Sequence, residues 1–323
     1  MIEHVTRGTL TALASNVTDI LTQNGYGVVR AVSESARFAS FIVEKDGCEF
    51  FAKVARGDHG REIENEVWYA LTLNRARETT ASLSVRAPRI EAHGAGWYVC
   101  ESLAGSPLVA REDARSASSI AGDIPALASL LTQLDEAFPE TPTDSPRAEE
   151  TDSAPVTDLT RRVDRWVARP LSEGTITPER VAEVKALINE SRELLRPRLQ
   201  HGDFVPWHIF QLGTGSYALV DGEHASLLKP RYYDLAYLAS RLWTRLHAAA
   251  EARALVRAFL AMSDGDRHGV VAAFLPVLTQ RAIGMHIDAL NDRPENDYVE
   301  EAQDLLSFCL ARDAGTLLGE GVT

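Results

Sequence analysis

The chain has 323 residues, 45% of them apolar, and a formal net charge of −13 at pH 7. That length is too great for one small core and predicts two domains or one domain of two lobes. The acidity argues against nucleic acid or an anionic membrane as a partner, since both are bound through basic patches. It leaves a cationic partner open, beside the plainer reading of an ordinary acidic enzyme.

Residues 1–24 carry apolar residues at helical spacing and lead into Gly25. They lack the basic start, continuous apolar centre and small-residue cleavage site of a signal peptide, so a helix is expected there. The stretches 27–32, 38–45 and 48–54 are rich in β-branched and aromatic residues and read as strands. Asp46-Gly47 between the last two predicts a hairpin, because a type I′ turn needs positive φ at both central positions. Residues 61–77 have the apolar spacing of a helix. The segment 87–105 then returns to two strands around Gly94–Gly96.

From about residue 106 the reading is mainly helical, with helices expected near 117–136, 158–169, 177–196 and across 232–315. Only 199–210 and 217–224 look strand-like in this half. The stretch 135–158 holds eight acidic residues, one arginine and four prolines, the composition of an exposed linker or insertion. It reads either as a solvated loop or as an acidic rim that attracts a cationic substrate. No apolar run approaches the roughly 20 residues needed to cross a bilayer. Cys48, Cys100 and Cys309 are scattered and odd in number, which predicts a reducing cytoplasm rather than a disulfide framework or zinc site.

The densest chemistry lies in "LQHGDFVPWHIF" (199–210) and "YALVDGEH" (217–224). Asp203 and Asp221 each follow an apolar, strand-like run and stand 18 residues apart, a spacing that fits a hairpin-like return bringing both carboxylates to one mouth. Two acidic groups meeting at a site commonly hold a divalent metal or divide the roles of metal ligand and base.

His201-Gly202-Asp203, His208 five residues later, Val220-Asp221-Gly222-Glu223 and Asp234-Leu235-Ala236 together resemble the motifs of the aminoglycoside phosphotransferase and choline kinase-like family. The family pattern is H-G-D-x-x-x-x-N, then a strand ending in I-D-x-E, then D-L-A opening a helix; order and spacing agree over some 35 residues. The resemblance implies an α+β, two-lobed protein-kinase-like fold. Residues 1–103 would form a small, mainly antiparallel β N-lobe with one key helix, and residues 104–323 a larger helical C-lobe. It also implies ATP and magnesium as cofactors and a hydroxyl-bearing acceptor.

Carried over residue by residue, the resemblance makes Asp203 the group that orients the acceptor hydroxyl and takes its proton. Asp221 becomes a metal ligand, Lys53 in "FFAKV" the grip on the nucleotide phosphates, and Glu66 its partner, with Glu62 one turn earlier as the alternative. Taken alone, Lys53 is equally an ordinary strand-surface lysine. The backbones of Glu101 and Leu103 would border the adenine. His201, Glu223 and Asp234 would support the loop.

Two positions depart from the family. The turn after the first strand has no glycine, so Ser33, Ser35 and backbone amides would have to cover the phosphates. His208 stands where a metal-binding asparagine is usual, and imidazole is a poor magnesium ligand. It would bind another metal such as manganese, donate to a phosphate, or mark a site that has lost activity. Three functions stay open on sequence: a kinase of a small molecule, a kinase of serine or threonine in a precursor peptide, and a degenerate kinase serving as a binding module.

Overall fold

The computed structural model describes residues 18–109, 120–138, 155–263, 266–292, 297–312 and 314–318. Most of the expected N-terminal helix and the core of the acidic stretch (139–154) lie outside the described residues.

The first lobe is a five-stranded antiparallel sheet of β1 (Gly27–Glu34), β2 (Phe38–Lys45), β3 (Cys48–Ala55), β5 (Ile90–Gly94) and β6 (Trp97–Glu101). Its order is β1-β2-β3-β6-β5. The β2–β3 turn places Asp46 at φ 54° and Gly47 at φ 76°, the left-handed pair that the Asp-Gly dipeptide predicts. Strand alternation then sorts the residues by face. Ala39, Phe41, Val43, Ala52, Val54, Trp97 and Val99 form one apolar cluster closed by Leu21 and Tyr26. Lys53, opposite Ser40 on β2 and Tyr98 on β6, points to the other face.

That second face is covered by helix α1 (Gly60–Thr79), which does two jobs with two stripes. Ile63 and Val67 pack against Phe38, Tyr98 and Cys100 of the sheet, and Glu66 shares their side. Asn65 and Tyr69, on the adjacent stripe, face the second lobe. The Asn65 side-chain nitrogen donates to the carbonyls of Gly222, Glu223 and Ala225 at 2.9–3.1 Å. Tyr69 meets the edge of the His201 ring at 5.2 Å.

The second lobe is helical: α2 (Ile124–Ala137), α3 (Pro155–Trp166), α4 (Ala168–Ser172), α5 (Pro178–Glu190), α6 (Tyr233–Trp243), α7 (Ala249–Met262), α8 (Arg267–Asp292), α9 (Val299–Leu310) and α10 (Ala314–Leu318). Helix α8 corrects one sequence expectation: by length and composition it could cross a membrane. Here, 83% of its apolar window is buried inside the lobe, as befits a core helix.

The strand content of this lobe also differs from expectation. Hairpin β8 (Ile209–Gly213) and β9 (Ser216–Leu219) is joined by two two-residue strands, β4 (Val85–Arg86) and β7 (Ser106–Pro107), in the order β4-β9-β8-β7. Strands this short carry no periodic signal. Asp203 does not follow a strand as expected. Its approach, residues 196–200, pairs irregularly with residues 226–231, and Pro206 opens a 3₁₀ turn before β8 begins.

Candidate active site

A cleft of about 600 Å³ opens between the sheet and the β8–β9 hairpin. It is lined by Ser33, Ser35, Lys53, Glu66, Glu101, Leu103, His208, Asp221 and Glu223, all named from sequence, together with Trp207 and Phe210.

At its floor the Lys53 ammonium contacts three carboxylates: Glu66 at 2.8 Å, Asp221 at 2.8 Å and Glu223 at 3.5 Å. Burial alone would lower the Lys53 pKa; the three anions overcome it and hold the ammonium charged. Burial raises the Glu66 carboxyl, against the pull of Lys53, and the Tyr98 hydroxyl donates to its second oxygen at 2.9 Å. Of the two glutamates weighed on sequence, Glu66 is the one that meets Lys53. Glu62 instead lies 3.2 Å from His59. The i to i+4 offset of those glutamates is close to a full turn, but only Glu66 lies under the sheet.

The loop from His201 to Asp203 is held by its neighbours. Asp234, at the start of α6, accepts from the amides of His201 and Gly202, both at 2.7 Å. Burial pushes its carboxyl up to about 6 despite these donors. His201 accepts from the Asp203 amide at Nδ1 (3.3 Å), so its Nε2 carries the proton toward the Val220 carbonyl at 3.0 Å. Burial pushes its pKa down to about 4. The ring is thus a neutral brace between two loops. Gly202 adopts φ +86°, and a Cβ there would lie 2.4 Å from the His224 carbonyl oxygen, so only glycine fits.

Asp203 and Asp221 flank His208. The His208 Nδ1 lies 3.0 Å from the Asp203 backbone carbonyl, which can only accept, so Nδ1 is the donor. Nε2 lies 3.3 Å from Asp221 Oδ2. In a neutral ring these would be two facing lone pairs, and they repel unless a proton or a metal cation lies between them. Burial would raise the Asp203 carboxyl, yet His208, Tyr237 and Arg241 hold it below the ordinary range. Asp221 is likewise lowered, by Lys53 and His208 against burial. Asp221 also takes a left-handed backbone, φ 66°. The donor atoms of Asp203, His208 and Asp221 lie within 4.8 Å of one another, as do those of Glu66, Asp221 and Glu223. Carboxylate oxygen suits magnesium; the imidazole adds a donor that suits manganese better.

The turn after β1 is built without glycine. The Ser35 hydroxyl accepts from the amides of Arg37 (3.2 Å) and Phe38 (3.0 Å), and Arg56 binds the Ser35 carbonyl at 3.1 Å. Arg37 reaches across the cleft to Glu223 at 2.9 Å. At the far end, the Glu101 carboxylate pairs with Arg86 and accepts from the Arg89 amide at 2.7 Å. The Glu101 amide donates to the Arg89 carbonyl at 3.0 Å and is therefore engaged within the protein.

Sequence reasoning missed four participants: Asn65, Tyr98, Arg37 and Tyr237. Asn65 adjoins Glu66 and Tyr237 follows Asp234-Leu235-Ala236, but nothing in the spacing marks these two or Tyr98. Arg37 is the lone cation in the glycine-free turn, a signal that was available.

The family model described as "Phosphotransferase enzyme family" matches residues 28–271. Among solved structures, choline kinase LicA from Streptococcus pneumoniae superposes with a TM-score of 0.59 at 15% identity, covering 93% of this chain and 99% of its own. The ADP-bound aminoglycoside phosphotransferase APH(2'')-Ib gives 0.55 at 15% identity over 94% and 99%. Macrolide 2'-phosphotransferase MphH from Brachybacterium faecium gives 0.52 at 15% identity over 96% and 99%. No curated protein matches the sequence. With the family model spanning most of its length and the two-lobed kinase-like architecture in place, the chain belongs to the phosphotransferase enzyme family.

Proposed function

We propose that the protein transfers the γ-phosphoryl group of ATP to a hydroxyl of a small molecule. The observation that carries this is the buried Lys53–Glu66 pair opening on one cleft with Asp221, while Asp203 stands just beyond His208. The ADP-bound relative and the small-molecule substrates named for similar structures support the choice of donor and acceptor class.

In this reading Lys53 binds the nucleotide phosphates, oriented by Glu66, which Tyr98 fixes in turn. The glycine-free turn from Ser33 to Arg37 covers the phosphates, and the segment from Glu101 to Leu103 borders the base. Asp221 and His208 would hold magnesium or manganese, which when bound offsets the negative charge of the phosphates. Glu223 holds Lys53 and Arg37 toward the same point. Asp203 orients the acceptor hydroxyl. Its lowered pKa makes it a poor base toward a resting alcohol, so it takes the proton late, as the bond to phosphorus forms through a loose transition state. His201 and Asp234 keep the loop in place without touching the reactants. We place such an enzyme in the cytoplasm, where ATP is available.

Asp203→Asn is the direct test. Phosphoryl transfer should fall by roughly a thousandfold, within the range typical of general-base loss, while nucleotide affinity stays near wild type. Unchanged turnover in that variant would sink the assignment. A wild-type protein that binds ATP yet phosphorylates neither small hydroxyl compounds nor peptides would point to a binding module instead.

A further inference from the structure

The acceptor hydroxyl must sit at Asp203, so the rest of the acceptor must lie beside Asp203 on the side away from the nucleotide cleft. The residues there differ in charge from those around Lys53. The Tyr237 hydroxyl hydrogen-bonds the Asp203 carboxylate, and Arg241, one turn later on α6, donates to that hydroxyl at 3.0 Å. Neither Tyr237 nor Arg241 lines the cleft. A second guanidinium, Arg281 of α8, lies 4.2 Å from the Tyr237 ring centroid, with Arg241 at 5.2 Å. A third, Arg245, lies 5.7 Å from the Trp207 ring.

Against these three arginines stand two aspartates among the described residues. Asp288 is 3.0 Å from Arg241 and 3.9 Å from Arg281, and Asp292 is 3.6 Å from Arg245. Asp292 also accepts from Tyr298 at 3.0 Å. Asp203, which Arg241 helps to hold ionised, is the third anion beside these arginines, so the charges balance and what the cluster lacks is hydrogen-bond acceptors. Its buried guanidinium nitrogens Arg241 Nε, Arg241 Nη1 and Arg281 Nε have no hydrogen-bond partner, although the Arg281 side chain is only 4% exposed. Buried guanidinium groups with missing acceptors are costly and rare in native proteins. A planar guanidinium fork is the group best matched to a carboxylate or phosphate.

We infer that the acceptor of this kinase carries an anionic group, a carboxylate or a phosphate, a short distance from the hydroxyl that is phosphorylated, and that Arg241, backed by Arg281, binds it. The inference rests on the proposed kinase reading for the position of the hydroxyl. It reverses the expectation of a cationic acceptor that the acidic stretch suggested; the core of that stretch lies outside the described residues, whereas Arg241 reaches Asp203 through the Tyr237 hydroxyl. Asp288 aligns the two guanidinium groups. Tyr237 links the anion site to the reacting carboxylate, so a bound anion also steadies Asp203.

Four matched probes at millimolar concentration decide the matter on the wild-type protein: glycerate, glycerol 3-phosphate, glycerol and 3-amino-1,2-propanediol. With ATP and magnesium, ADP release is expected from one or both anionic probes at tenfold or more above the other two. Which of the two is favoured separates carboxylate from phosphate. Arg241→Gln should raise KM for that probe about tenfold, the scale of one lost charge-assisted hydrogen-bond pair, and leave KM for ATP within about twofold. Arg241→Lys should fall between. Preference for the amine or the neutral triol, or an unchanged KM in Arg241→Gln, overturns the proposal.

If none is turned over, thermal stabilisation decides. Anionic probes that raise Tm in wild type but not in Arg241→Gln support the site. A protein stabilised by ATP and by neither anion overturns the anion site and leaves the kinase reading. A protein stabilised through Arg241 by an anion but never by ATP overturns the kinase reading and leaves the anion site.

Discussion

The two sides of Asp203 are built on opposite plans. On the cleft side one lysine is surrounded by three carboxylates, Glu66, Asp221 and Glu223. On the α6–α8 side, three arginines meet two aspartates. An excess of carboxylate is what a site needs if it takes up a divalent cation along with phosphates; guanidinium nitrogens left without acceptors are what it needs for an anion that arrives alone. The contrast shows that net charge, −13 for the whole chain, says little about either side. The charges that matter are the few side chains that face Asp203 and Asp221, among them Lys53, His208 and Arg241.

The largest effect in this comparison is expected from taking away Lys53, which meets all three cleft carboxylates where Arg37 meets Glu223 alone. Lys53→Met leaves Glu66 and Asp221 without their shared cation, and kcat/KM should fall by about a hundred- to a thousandfold with weakened nucleotide binding. A nucleotide affinity equal to wild type, read by titration of a fluorescent analogue, would break the assignment of that side to phosphate.

His201 braces the loop that carries Asp203, and its effect appears in stability. The native histidine takes up a proton only near pH 4, the unfolded one near 6.5. Across that window the unfolded chain binds more protons, so the His201 contribution is complete above about pH 6.5 and is lost as pH falls toward 4. Asp234, raised to about 6, acts with the opposite sign between its ordinary value and 6, which masks the effect in wild type. The difference between wild type and His201→Gln removes that mask. By urea unfolding, the wild-type advantage should shrink by about 3 kcal/mol from pH 7 to pH 4; parallel curves would mean an ordinary histidine.

A smaller contrast sharpens the role of α1. Glu66→Gln should lower kcat about tenfold by loosening Lys53, whereas Glu62→Gln, whose partner is the partly exposed His59, should change it less than twofold. Equal effects would show that the helix, and not the pair, matters. Smallest of all is Arg245→Ala on the opposite side. Its pair with Asp292 is partly exposed and 3.6 Å long, and the change should cost under about 1 kcal/mol in thermal unfolding and leave KM for ATP untouched.

Much of the cleft side was legible in the sequence because its residues sit in short motifs with fixed spacing. The His201-to-Asp203 triplet, the Asp221-to-Glu223 segment and Asp234 each announce themselves, and the Asp46-Gly47 turn fixes the register that brings Lys53 to the cleft face. The choice of Glu66 over Glu62 needed the structure, since both lie near one helical face and only packing under β2 and β6 separates them. The other side was illegible for a different reason. Arg241, Arg281 and Asp288 come from two helices 40 residues apart, each inside an apolar, unremarkable stretch, and only the crossing of α6 and α8 makes them a cluster. The two-residue strands β4 and β7 were unreadable because pairing with β8 and β9, and not local propensity, makes them strands.

The left-handed backbone of Asp221 has a practical consequence for dissecting the site. Residues other than glycine, asparagine and aspartate resist that conformation, at a cost on the order of 1 kcal/mol. An alanine at position 221 would therefore remove a carboxylate and tilt the 3₁₀ turn on which Glu223 and the Asn65 contacts depend, and its phenotype would mix chemistry with architecture. Asparagine keeps the turn and removes only the charge, so the measured loss can be read as the contribution of one anion.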